Sequence, residues 1–305
     1  MRLASRPASH HESVMPSRNA RPRRSVLYIP AANDRALAKL PDLACDAVVI
    51  DLEDAVAPGE KAAARGKIGG IFASRPFRRE MVLRINALSS EWGRDDLAAA
   101  IAAAPDAVLL PKVETPRDIL DVEEALGAAG AAETVRLWAM LETPKVMLDL
   151  GGIAELGRIA GTRLDCLVAG TNDLARETRV RAMPDRRNLV PWLLQMVLAA
   201  RAGGLDVLDG VSNDFRDIAA FRHECEAARA LGFGGKTLIH PSQIEPANDA
   251  FAPRADELAV AEAIVSAFSL PENAGKGVIA LDGRMVERLH LAEAERLLAL
   301  AAIRA

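Results

Sequence analysis

Two carboxylates stand where apolar runs stop. Leu137-Trp138-Ala139-Met140-Leu141 leads directly into Glu142, and Cys166-Leu167-Val168-Ala169-Gly170 leads through Thr171-Asn172 to Asp173. Short apolar runs that close on an acid beside turn-forming residues describe parallel strands delivering carboxylates to one end of a sheet. Two hard oxygen ligands at one end of a barrel, with coordination positions left over, suit Mg2+. Taken singly, each acid has a plainer use: Glu142 caps a helix and Asp173 begins a turn.

The other run ends bear on that choice. In chain order they are Pro30, Asp51 with Glu53 and Asp54, Arg84 with Asn86, Lys112 with Glu114, Glu142, Asp173, Asp209 and His240. Charges gathered at one buried face need partners or a metal, because an unpaired buried charge is costly. The chemistry of this set is electrophilic. Mg2+ on Glu142 and Asp173 would chelate an α-keto acid or a β-hydroxy acid, and Arg84 would grip a carboxylate or enolate oxygen. Asp51, Glu53 and Asp54 would hold water around the ion. No Ser-His-Asp set or P-loop accompanies them. Lys112 could form an imine in principle, but its Pro-Lys-Val setting does not establish one. His240, in Ile-His-Pro-Ser-Gln, reads either as a base or as part of a fixed turn, and Pro241 and Gln243 favour the turn.

These residues must be positioned by a repeating scaffold. Apolar runs begin at Ser25, Ala47, Met81, Ala107, Arg136, Cys166, Asp206 and Lys236, and helical stretches such as Asp34–Leu40, Arg94–Ala103, Thr115–Ala129, Val190–Ala202 and Asp217–Leu231 lie between them. Near-continuous apolar strands alternating with amphipathic helices indicate a parallel sheet under helices, and eight such strands predict a (β/α)8 TIM barrel over residues 23–250. A doubly wound open sheet is the competitor, but no GxGxxG follows the first run. From Phe251 the pattern changes to a helix reaching about Phe268, a glycine-hinged loop and hairpin around Asn273–Met285, and a final helix over about His290–Ala301. A closed barrel has no need of residues 251–305, so they are expected to form a lid or an oligomer contact.

Composition narrows the function classes. Of 305 residues, 50% are apolar and only 4% aromatic, so the core must be aliphatic. A net charge of −4 argues against a nucleic-acid partner, and no apolar run approaches the roughly 18 residues that would cross a membrane. Cys45, Cys166 and Cys225 are widely spaced, with no CxxC. They read as reduced, buried thiols of a cytoplasmic protein. Residues 1–22, rich in Arg, Ser, Pro and His, are expected to be a disordered basic tail. The same stretch has features of a mitochondrial transit peptide, but His10-His11 and its prolines weigh against that reading.

The motifs together resemble the citrate lyase beta-subunit family of the HpcH/HpaI aldolase superfamily, which also holds malyl-CoA and citramalyl-CoA lyases. The resemblance is carried by Arg24-Ser-Val-Leu-Tyr-Ile-Pro30, Asp51-Leu-Glu-Asp-Ala-Val56, Leu83-Arg-Ile-Asn86, Leu110-Pro-Lys-Val-Glu114, Leu141-Glu-Thr143, Ala169-Gly-Thr-Asn-Asp-Leu174, the Gly232–Ile244 segment and the Gly275–Val286 block. It implies Mg2+ at Glu142 and Asp173 and a substrate contact at Arg84. It also implies that the loop after the first strand binds a thioester's nucleotide arm, with Arg35, Lys39 and Arg24 as phosphate partners. In lyases of this family an Asp of the C-terminal block, supplied by a neighbouring subunit, acts as acid/base at the acetyl carbon. The aligned residue here is Glu287, one methylene longer.

Arg84, Glu287 and Asp54 are therefore the catalytic candidates. The implied activity is cleavage of a β-hydroxyacyl thioester, carried on CoA or an acyl carrier protein, to an acyl thioester and an α-keto acid. The implied assembly is a homo-oligomer, a trimer or a hexamer. Hydrolysis of a malyl-CoA-type thioester, and a non-catalytic subunit that binds keto acid or thioester, are the alternatives.

Overall fold

A computed structural model describes residues 21–75 and 79–302. The expected tail therefore lies, as far as residue 20, outside the described residues. Eight parallel strands close into a barrel in chain order: β1 (Ser25–Pro30), β2 (Ala47–Asp51), β3 (Glu80–Arg84), β4 (Ala107–Leu110), β5 (Arg136–Leu141), β6 (Leu164–Ala169), β7 (Asp206–Asp209) and β8 (Gly235–Leu238). β1 pairs with both β2 and β8, so no edge is left open. The helices are α1 (Asp34–Ala38), α2 (Lys61–Ala73), α3 (Gly93–Ala103), α4 (Pro116–Ala128), α5 (Pro144–Leu148), α6 (Leu150–Arg158), α7 (Thr171–Thr178), α8 (Val190–Gly203), α9 (Ile218–Leu231), α10 (Ile244–Phe251), α11 (Ala255–Ser269) and α12 (Arg288–Ala302).

Strand alternation divides the core in two. Val26, Val49, Val82, Leu109, Trp138, Met140, Cys166, Val168 and Leu208 fill the barrel interior, with Tyr28 packed against them. Their neighbours in sequence, such as Leu27, Ile50, Leu83, Leu137 and Leu167, pack outward against the helix layer. This parity decides which strand-end residues meet. Asp51, Arg84 and Glu142 continue the inward sets Val49–Asp51, Val82–Arg84 and Met140–Glu142, so all three point into the barrel mouth. Asp209 follows the inward Leu208 and points outward.

The opposite end of the barrel is closed by charge. Arg23 binds Glu80 through Nε and Nη2 at 2.8 Å each, Asp165 at 2.5 Å and Asp206 at 2.7 Å, with its guanidinium 4.8 Å from the Trp138 ring centroid. These residues sit at the starts of strands, where interior space must be filled without leaving unpaired charge.

Beyond the barrel, α11, α12 and an antiparallel hairpin of β9 (Val278–Leu281) and β10 (Arg284–Glu287) build a separate small core from Phe268, Ile279 and Val286. Arg229 of α9 reaches Glu257 of α11 at 2.5 Å. Among the described residues, no helix is long and apolar enough to cross a membrane. Cys45, Cys166 and Cys225 are buried free thiols.

Candidate active site

The barrel mouth holds a cavity of about 290 Å³. Asp51, Asp54, Arg84, Glu142 and Asp173 line it, together with Tyr28, Met140, Gly170, Asn172 and Asn213. Arg84 is fixed from several sides. Its Nε and Nη2 donate to Asp51 Oδ1 and Oδ2 at 2.7 and 2.6 Å, and Nη1 lies 2.8 Å from Glu53 Oε2. The guanidinium carbon stands 4.7 Å from the Tyr28 ring centroid. One N–H of Nη2 remains for a ligand oxygen, and one of Nη1 has only the weak acceptor Met140 Sδ at 3.8 Å. Asp51 also accepts the backbone N–H of Glu53 and Ala55, at 2.9 and 3.2 Å. It is therefore occupied in holding Arg84 and its own loop, a correction to the expectation that it carries water around an ion.

That loop is anchored from below. Lys61, buried under the loop, donates to the carbonyls of Leu52 and Glu53 and to Asn86 Oδ1 at 2.9, 2.7 and 2.8 Å. Asn86 in turn bonds Asp96 and the Leu52 carbonyl. Asp54 is exposed at the loop tip, 4.0 Å from Arg84. Burial pushes Glu53 up to about 7, against the charge of Arg84 and with the repulsion of Asp54, Glu142 and Asp51 behind it.

Glu142 and Asp173 come from adjacent strand ends, by different routes. Glu142 follows β5 directly, and the cap of α5 is the next residue, Thr143, whose side chain accepts from the Val146 N–H. β6 stops at Ala169, so Asp173 does not end a strand; it lies in the first turn of α7, where the helix favours negative charge. Gly170 is required between them. A Cβ there would fall 2.2 Å from Glu142 Cβ and 2.7 Å from Glu142 Oε2. Burial pushes Glu142 up to about 7, opposed by Lys112 and reinforced by Asp173. Burial acts upward on Asp173 too, but hydrogen bonding and charge from Lys112, and then Arg176, hold it below the usual carboxylate range.

The Lys112 ammonium spans the two acids, 2.7 Å from Asp173 and 3.5 Å from Glu142. A cation already bridges these oxygens, so the pair fits a positive ion. Among the described residues no cluster of three or more metal-binding side chains occurs. An ion here would have two protein carboxylates and complete its shell with water or ligand, as Mg2+ characteristically does and structural zinc does not.

Other expected residues lie elsewhere. Arg24 is at the closed end, paired with Asp46 by two bonds of 2.8 Å, so the expectation that it meets a phosphate at the mouth is corrected. It precedes β1, whereas the mouth is built by residues that follow strands. Arg35 and Lys39 are exposed, four residues apart, on and just after α1 at the mouth end. Asp209 faces the helix layer, bound to Lys236 at 2.6 Å and Arg186 at 2.8 Å. His240 caps a short turn: Nδ1 accepts from the Ser242 N–H, and the ring stacks on Phe215 with centroids 4.5 Å apart. Glu287 sits on β10 in the satellite hairpin, and within one chain it is not brought to the cavity. Tyr28 was not among the expected site residues, although it is the one tyrosine in the chain and shares the inward parity of β1. Lys61 carried no comparable signal.

Residues 24–241 match the family model described as HpcH/HpaI aldolase/citrate lyase. A (3S)-malyl-CoA thioesterase of Cereibacter sphaeroides is 44% identical over 281 residues, covering 92% of this chain and 95% of that protein. The citrate lyase subunit beta of Escherichia coli is 34% identical over 276 residues, covering 88% and 90%. Among solved structures, protein CitE of Mycobacterium tuberculosis in complex with magnesium, acetoacetate and coenzyme A superposes with a TM-score of 0.71 at 28% identity, covering 91% of this chain and 97% of that one.

Proposed function

Because the chain belongs to the HpcH/HpaI aldolase/citrate lyase family, we propose that it is a Mg2+-dependent enzyme cleaving a β-hydroxyacyl thioester to an acyl thioester and an α-keto acid. The observation that carries the reading is the buried Glu142–Asp173 pair, lining the same small cavity as an arginine locked in place by Asp51. Glu142 and Asp173 would hold the ion. Bound there, Mg2+ supplies Lewis acidity toward the hydroxyl or keto oxygen and the neighbouring carboxylate.

The protein's own groups would do the rest. Arg84 directs its remaining N–H groups at the oxygen that gains charge, and Asp51 and Glu53 keep it from swinging. Arg35 and Lys39 meet the phosphates of the thioester arm. Glu287 of a neighbouring copy moves the proton at the acetyl carbon, so the active assembly is a homo-oligomer. Met285, Val278 and Leu289 flank Glu287 and are 67%, 47% and 63% exposed in one chain, apolar surface that such a contact would cover.

Hydrolysis is the second reading, favoured by the 44% identity to a malyl-CoA thioesterase and by Glu287 in place of aspartate. Water then adds at the thioester carbonyl, and free acid and free thiol leave. The test is incubation with Mg2+ and malyl-, citramalyl- and citryl-CoA, following keto acid and thiol separately. Keto acid without thiol is the outcome of lyase chemistry, and thiol with the intact hydroxy acid that of hydrolysis. Binding with no turnover of any of them would overturn both in favour of a binding subunit.

A further inference from the structure

Lys112 has no task in the chemistry just proposed, yet two parts of it are aimed at the Glu142–Asp173 pair. It follows β4 with φ at 51°, left-handed backbone that a residue bearing a Cβ keeps only when its surroundings hold it there. Glu142 is what holds it: the Lys112 N–H donates to Glu142 Oε1 at 2.7 Å. The side chain then folds back over the same acids, with Nζ 2.7 Å from Asp173 Oδ2 and 3.5 Å from Glu142 Oε1. Its side chain is 27% exposed, while Nζ itself is buried against the acids.

An ammonium is a compact point charge on a flexible stem. It cannot share this carboxylate pair with a divalent cation without strong repulsion at such short range. We infer that Lys112 is a built-in competitor for the cation site, whose ammonium must leave Glu142 and Asp173 when a divalent ion binds. The backbone N–H bond to Glu142 tethers the residue, so the released side chain swings within the mouth. There it adds a positive charge beside Arg84 and meets an anionic ligand. Metal entry and capture of the acid are thereby coupled, and the coupling is reciprocal. This inference rests on Glu142 and Asp173 being the cation ligands.

The test uses the full chain with Mn2+ as the probe, read by electron paramagnetic resonance, and pyruvate as the acid. Lys112→Met keeps the stem and removes the charge. It should bind Mn2+ about tenfold or more tightly than the native chain, and pyruvate should strengthen Mn2+ binding less in the variant than in the native chain. Lys112→Arg, which retains the charge, should stay near native affinity. Lys112→Gln is measured alongside, and thermal melts identify the folded variants, so that the answer does not hang on one substitution. Unchanged or weaker Mn2+ binding in a folded, uncharged variant would overturn the inference. Glu142→Gln and Asp173→Asn separate it from its premise: if they bind Mn2+ as the native chain does, the ligand assignment itself falls, whatever Lys112 does.

Discussion

Asp51→Asn tests whether the site is organised around Arg84. The Asp51 side chain is fully buried and accepts four hydrogen bonds, two from Arg84 at 2.7 and 2.6 Å and two from the backbone of its own loop at 2.9 and 3.2 Å. Asparagine has the same shape but keeps only one acceptor oxygen, and its amide N–H groups must face a donor. Removing one partner of a buried ion pair costs about 3–5 kcal/mol. Arg84 retains Glu53 at 2.8 Å, which places the cost at the lower end, about 3 kcal/mol. An unfolding entropy of about 2.1 cal/mol/K per residue gives about 0.6 kcal/mol/K for this chain, so Tm should fall by about 5 °C.

Activity should suffer more than stability. A misplacement of about 1 Å in an oriented group costs roughly a hundredfold in rate. Mn2+ affinity should hold, because Asp51 makes no bond to Glu142 or Asp173. Calorimetry, steady-state kinetics and a metal titration on one preparation give all three numbers. The paired variant Asp51→Asn/Arg84→Met keeps an acceptor for the loop N–H groups and removes the uncompensated guanidinium, so it should recover part of the stability and none of the activity. A Tm within about 1 °C of native with normal kcat in Asp51→Asn would refute the reasoning, since Arg84 would then owe its position to something else.

Three further outcomes follow from other parts of the barrel. Gly170→Ala drives a methyl into Glu142, with 2.2 Å to its Cβ. It should cost about 1–3 kcal/mol in a denaturant titration and weaken Mn2+ binding by about tenfold or more, and full Mn2+ affinity would count against Glu142 as a ligand. Burial alone would raise Asp209, but the charges of Lys236 and Arg186 hold it below the ordinary carboxylate value. Its stabilisation is therefore complete above about pH 4 and is lost as pH falls through the lower folded value, so Asp209→Asn should lie well below native in Tm at pH 7 and approach it near pH 3; an equal gap at both pH values contradicts this. Arg23→Met leaves buried Glu80 and Asp165 without their main partner, which should cost about 3–5 kcal/mol in a denaturant titration while leaving Mn2+ affinity untouched, because the plug is at the far end of the barrel.

The barrel was legible because its strands are buried on both sides and read as unbroken apolar runs. Ser25–Pro30 and Arg136–Leu141 begin where the runs were placed, and α4, α8 and α9 fall within one residue of their expected bounds at each end. Some helices escaped: α2, whose Gly66, Gly69 and Gly70 blur its apolar stripe, and α5 and α10, which are short. The sixth run extended too far: Gly170 breaks the strand, and Thr171 already belongs to the helix that carries Asp173.

The site was legible only to the level of strand ends, because a list of ends has no sense of direction. Asp209 and Glu142 look alike in sequence, each an acid closing an apolar run, yet a step of one residue in the alternation sends Glu142 into the mouth and Asp209 into the helix layer. Parity would have separated them, since Trp138, Met140 and Glu142 share a face with the interior set, whereas Asp209 sits one residue past the inward Leu208. The same rule brings in Tyr28, on the face of Val26, as the platform beneath Arg84. No parity rule reaches Lys112. It lies past the end of β4, and its direction depends on a left-handed backbone fixed by a hydrogen bond to a residue on the next strand. The cation that stands on the acids is thus set by tertiary contact alone, which is why the sequence could name the carboxylates and not their occupant.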